Sequence, residues 1–73
     1  MYSLKVLKPL SHPDGRQFMP GHDCHALTVF EVSELFTDYP EYFAPADEIT
    51  EELAKDPDKI KHYYDALPNK GKV

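Results

Sequence analysis

Seven prolines and three glycines punctuate a chain of only 73 residues, and their placement in its first half constrains the fold more than any other feature. Proline brings no N–H to a sheet ladder and locks φ, so an extended run between such breakers has to be short. Tyr2, Leu4 and Val6 alternate with Ser3, Lys5 and Leu7, the period of a half-buried strand, and Pro9 ends it. His12-Pro13-Asp14-Gly15 supplies a turn in which Gly15 takes positive φ without steric cost. Arg16-Gln17-Phe18-Met19 reads as a short second strand, closed by Pro20-Gly21, a pair suited to the central positions of a type II turn. Cys24 to Leu27 reads as a third.

A helix must follow. Thr28 precedes Glu31 by three residues, the capping-box spacing in which the threonine oxygen takes an orphan N–H of the first turn and the glutamate reaches back. The pattern predicts a helix over 29–38, with Val29, Val32 and Phe36 on one face, and Phe30 and Leu35 flanking it. Tyr39-Pro40 stops it, and Tyr42-Phe43 returns as a short final strand ended by Pro45. Residues 1–46 are thus expected to form a small α+β unit: an antiparallel sheet of three or four short strands carrying one packed helix.

Beyond Ala46 the composition turns to Asp, Glu and Lys, with Ile49, Leu53, Ile60, Tyr63, Tyr64 and Leu67 at helical spacing. Residues 47–67 read as an acidic helical extension of two short helices, near Thr50 to Lys55 and Pro57 to Ala66. Asp56 suits the N-cap of the second and Pro57 its first helical position. Pro68 stops it, and residues 68–73 are expected to be a disordered tail. Seven acids and five lysines mix from Asp47 onward, which suits a solvated face with i,i+4 pairs such as Lys61 with Asp65.

Size and charge narrow the function. A chain this short buries only about 60% of the surface its unfolded form exposes, and its single cysteine, Cys24, excludes an intrachain disulfide. Reinforcement by a metal or by a protein partner stays open. Thirteen acidic residues against eight basic ones give a net charge of −5, which disfavours nucleic acid and anionic membranes as partners. No apolar run approaches the roughly 20 residues of a membrane span, and Met1 to Lys5 lack a signal-peptide core. The expected location is cytoplasmic, and an unpaired cysteine fits a reducing compartment.

Candidate chemistry is sparse. His22, Cys24 and His25, with His12 as a fourth, form the one cluster of transition-metal ligand types, and a small metal-binding regulatory module built on them is the alternative function. Zinc sites usually draw spaced ligand pairs from two directions, whereas His-Asp-Cys-His comes from one loop, and in a strand residues 24 and 25 point to opposite faces. A Cys24–histidine nucleophile lacks an orienting third group. The carboxylate pairs Glu31/Glu34 and Glu51/Glu52 read as solvated faces, and Asp56-Pro57-Asp58 reads as a helix cap, since a calcium loop needs alternating oxygen ligands, a glycine and a closing glutamate. With no phosphate-binding glycine motif and no basic stripe, neither a cofactor nor a small-molecule substrate is expected. The aromatics remain: Tyr39, Tyr42, Tyr63 and Tyr64 are the candidate partner-binding residues, because tyrosine in excess of core needs favours interfaces. One of the adjacent Tyr63-Tyr64 pair is expected to face away from the helical stripe.

Leu7-Lys8-Pro9-Leu10, Asp14-Gly15-Arg16-Gln17-Phe18, Pro20-Gly21, Leu27-Thr28 and Asp38-Tyr39-Pro40-Glu41-Tyr42-Phe43 together resemble small, mostly uncharacterised proteins of tailed bacteriophages and prophages, in which a strand, "DG", an aromatic, "PG", a threonine-capped helix and a closing aromatic follow in that order. The match spans residues 4 to 43. The resemblance implies a compact β-rich domain, sometimes SH3-like, with one helix, and brings no catalytic residue with it. It implies a gene placed near those for virion structural proteins and brings no activity; small size, acidity, surplus tyrosines and the lack of a catalytic site add the expectation of a non-enzymatic accessory protein acting through protein contacts or self-association, in virion assembly or on a host factor, in the bacterial cytoplasm or carried into the virion.

Overall fold

A computed structural model describes residues 1–68; the remainder of the expected disordered tail, 69–73, lies outside the described residues. Strand β1 (Tyr2–Val6) is the middle of a three-stranded antiparallel sheet, flanked by β4 (Cys24–Leu27) and β5 (Phe43–Pro45). Its alternation works as the sequence dictates: Leu4 and Val6 are buried while Lys5 between them is exposed. Strands β2 (Leu10–Ser11) and β3 (Gln17–Phe18) form a separate two-stranded ladder, with Leu10 opposite Phe18 and Ser11 opposite Gln17. The fold is α+β, as the sequence implies.

The sequence gives no sign of β2, because Pro9 ends the β1 pattern. The ladder restarts one residue later, and the turn that follows it is the reason. The His12 N–H donates to the Arg16 carbonyl at 2.8 Å and the Gly15 N–H to the His12 carbonyl at 3.0 Å, a reversal that Gly15 permits with φ +97°. Pairing shortens the Arg16–Met19 expectation to Gln17–Phe18. At Pro20-Gly21 the His22 N–H closes on the Met19 carbonyl at 3.1 Å, and Gly21 has φ +88°, as a type II turn requires.

Between β1 and β4 the register slips: Tyr2 faces Leu27, yet Leu4 faces Cys24. Two residues of β4 thus oppose the single Ser3, a β-bulge, and the extra residue Ala26 sits at φ +59°, a left-handed conformation that a side chain disfavours.

Helix α1 (Val29–Asp38) starts with the full capping box: the Glu31 N–H donates to the Thr28 hydroxyl at 3.1 Å and the Thr28 N–H to Glu31 Oε1 at 3.0 Å. Its fully buried residues are Val32, Ser33 and Leu35, and Val29 and Phe36 pack half-buried against the same core, so the expected Val29/Val32/Phe36 face meets the core and widens to take in Leu35. The helix has two neighbours, the sheet and a later helix, and Phe30 turns to the second of these. Past α1, β5 starts at Phe43, one residue after the expected Tyr42, and ends at Pro45 as expected; it is an edge strand, where a missing N–H is tolerated.

Helix α2 (Glu48–Ala54) begins two residues ahead of the expected Thr50, because Asp47 is the N-cap and its Oδ1 accepts the Thr50 N–H at 2.8 Å. Helix α3 (Pro57–Asp65) starts where the sequence indicates, with Asp56 Oδ1 accepting the Lys59 N–H at 3.1 Å and Pro57 in the first turn. The expected Lys61–Asp65 pair forms at 2.6 Å. Residues 47–67 share one core with residues 1–46: Leu53 is buried with Leu4, Val32, Leu35 and Phe43, and Ile60 packs against them. Each such buried side chain contributes about 1.5–3 kcal/mol. Among the described residues no helix is long and apolar enough to cross a membrane.

Candidate functional site

Where α1 ends, its last turn and α3 leave an open apolar groove. Tyr39-Pro40 stops the helix, the Tyr42 N–H closes a turn on the Tyr39 carbonyl at 3.1 Å, and the chain returns inward at Phe43. Pro57 then launches α3 past the same place. The result is a cavity of about 640 Å³ lined by Phe36, Thr37 and Pro40 from the α1 end, Phe43 from β5, Ala54 from α2, and Pro57, Ile60, Lys61, Tyr64 and Asp65 from α3. Two groups close its polar side. The Tyr64 hydroxyl donates to Asp38 Oδ1 at 2.7 Å, joining α3 to α1, and Lys61 Nζ pairs with Asp65.

Of the four candidate tyrosines, Tyr64 alone lines this groove. Tyr63 packs edge-on to Phe30 of α1, ring centroids 5.2 Å apart, and to His62. Both members of the adjacent pair therefore turn to α1, where one was expected to face away; α3 lies along α1, and its inward arc is wide enough to hold both. Tyr39 and Tyr42 belong to a different cluster. Their rings meet edge-on at 6.0 Å, Lys8 Nζ lies 5.7 Å from the Tyr42 ring, and Tyr39 packs on His12. Phe36, Pro40, Phe43, Pro57 and Ile60 were legible as core or as helix punctuation, but nothing in the sequence says that the two helix ends face each other.

His12 belongs to that second cluster, its side chain only 8% exposed. Its Nδ1 lies 2.9 Å from Asp14 Oδ1, its Nε2 lies 3.7 Å from Glu34, and Phe18 and Tyr39 bracket the ring. Arg16 extends the network, with Nε 2.6 Å from Asp14 and Nη1 3.3 Å from Glu31 of the α1 cap. The Arg16 backbone N–H donates to Asp14 Oδ1 and holds that carboxyl below its ordinary pKa, with the guanidinium adding to the effect. Together these contacts fasten the β2–β3 hairpin to α1.

The histidine–cysteine loop does not assemble. Cys24 is half-buried against the core, where burial pushes its thiol pKa up. His22 is exposed, and His25 is exposed with Nδ1 3.2 Å from the Ser3 hydroxyl. His12 lies instead in the hairpin network described above. Among the described residues no three His, Cys, Asp or Glu side chains converge on a position that could hold a metal ion.

Comparison with protein-family models, with curated proteins and with solved structures found no match to this chain.

Proposed function

We propose that this chain is a non-enzymatic docking module that acts through protein contacts, and that the groove between α1 and α3 is its contact surface. The observation that carries the reading is the groove itself: an open cavity of about 640 Å³ whose lining includes Phe36, Phe43, Ile60, Pro40 and Pro57. That volume falls within the range of about 300–1,000 Å³ at which binding pockets occur. An apolar concavity left open on so small a domain costs it burial that it can ill spare. The titratable network around His12 has a sufficient structural role in holding a hairpin to a helix, so it lends no support to catalysis.

The setting that suits such a module is that of a phage or prophage accessory protein, in virion assembly or against a host factor, in the bacterial cytoplasm or carried into the particle. That part of the reading rests on the resemblance of residues 4–43 alone. Gene neighbourhood tests it: placement between capsid and tail genes favours assembly, and placement among early genes favours host takeover.

The docking reading is tested by placing a photo-crosslinking side chain at Thr37, an exposed groove residue, and in parallel at exposed Gln17 of β3, in cells that produce the protein. A discrete protein adduct from Thr37 and not from Gln17 is the expected outcome. No adduct from Thr37, or the same adducts from both positions, contradicts it.

A further inference from the structure

Building on that docking reading, we infer that the groove's occupant is a short segment of a different protein in which apolar anchors are flanked by lysine or arginine. The lining of the groove sets the anchors. Phe36, Phe43 and Ile60 offer nothing to a polar side chain, while Pro40 and Pro57, which have no N–H, leave it poor in backbone donors.

Charge sets the flanks. The charged side chains of the lining, Lys61 and Asp65, pair with each other at 2.6 Å, and Lys8 near the Tyr39–Tyr42 cluster is met by Glu41 at 3.6 Å. With those cations met, Asp58, exposed beside Pro57, adds an acid, and residues 47–67 carry seven acids against three lysines. The whole chain stands at −5. A cationic segment is drawn to such a surface and an acidic one repelled, so the field selects partners and speeds encounter before any apolar contact forms.

A second copy of this chain fits poorly. It brings the same negative field, and the large exposed apolar side chains, Met1, Leu7, Met19, Phe30 and Ile49, all lie outside the groove lining. Two copies therefore cannot meet groove to groove through any of these exposed apolar anchors. A different protein has neither constraint.

Selection from a library of random linear peptides displayed against the whole protein tests the inference, with every enriched peptide counter-screened on two variants. Thr37→Arg fills the groove from an exposed position, and the double variant Asp58→Lys, Asp65→Lys reverses the rim charge; circular dichroism verifies that both fold. The expected result is a consensus of apolar residues flanked by Lys or Arg, lost on Thr37→Arg and weakened by charge reversal. Replacing each flanking cation by Gln should weaken binding about two- to fivefold at low salt. Peptides that bind in the groove but carry neutral or acidic flanks, or that ignore the charge reversal, overturn the inference and leave the docking reading standing. Absence of any peptide sensitive to Thr37→Arg overturns both.

Discussion

The Ser3 backbone N–H, near the start of the sheet's central strand, donates to the Thr50 hydroxyl at 2.9 Å across 47 residues of sequence. Thr50 is fully buried, and its hydroxyl and N–H also hold the Asp47 carboxylate that caps α2. One side chain therefore ties the sheet to the first helix of the acidic segment. Thr50→Val keeps the shape and leaves the Ser3 N–H without its acceptor, a cost of about 1–3 kcal/mol. Urea unfolding should show the midpoint falling while sheet and helix still melt in one transition. An unchanged midpoint would show that the bond does not hold α2 to the sheet.

Ser33 should respond in the opposite direction. It is fully buried in α1, and its Oγ has no hydrogen-bond partner among the described residues. Ser33→Ala removes an unsatisfied polar atom and improves helix propensity, so it should raise stability by about 0.5–1 kcal/mol. The same unfolding measurement decides the matter, and a lower midpoint for the variant counts against the assignment.

Much of this architecture was legible because it rests on local chemistry. Thr28 and Glu31 form the capping box, Gly15 and Gly21 take positive φ, Asp56-Pro57 starts α3, and Lys61 finds Asp65. Each needs only neighbours within four residues. What escaped depends on distant partners. Leu10-Ser11 is a strand only because Gln17-Phe18 folds back on it. Phe30 packs on Tyr63 because α3 lies along α1, and no periodicity in α1 encodes that. The groove is the extreme case, since its lining comes from four separate elements; of the tyrosines singled out in the sequence, only Tyr64 reaches it.

The bulge residue Ala26, at φ +59°, is a place where side chain and backbone disagree. The left-handed region costs a residue with a Cβ about 1–2 kcal/mol, against about 0.5–1 kcal/mol of extra chain entropy for glycine. Ala26→Gly should therefore stabilise the protein by about 0.5–1 kcal/mol. The check is a rise in the urea midpoint with an unchanged denaturant slope, and destabilisation would mean that the Ala26 methyl contributes more than its strain costs.

Acid sensitivity should trace to two carboxylates, a helix cap and a turn residue. Asp47 is held below its ordinary pKa by the Thr50 hydroxyl and N–H, and Asp14 by the Arg16 N–H and guanidinium. Folding depresses both values, so the stability they give is fully present above the unfolded value of about 4 and is lost as pH falls through the lower folded values. Asp47→Asn keeps a good N-cap residue while removing the charge, and Asp14→Asn does the same at the hairpin turn. Each should flatten the dependence of the urea midpoint on pH below about 4. A dependence identical to that of the parent would place the acid response elsewhere.

The groove is tested most directly by an amide and methyl NMR titration of the whole protein with a peptide of apolar anchors between lysines, set beside the same peptide with glutamates in their place. The predicted result is saturable shift changes concentrated at Phe36, Thr37, Phe43, Ile60 and Tyr64 for the lysine peptide, weakening as salt screens the rim, and little response to the glutamate peptide. Shifts scattered over the surface, centred on the Tyr39–Tyr42 cluster, or equal for both peptides would contradict it.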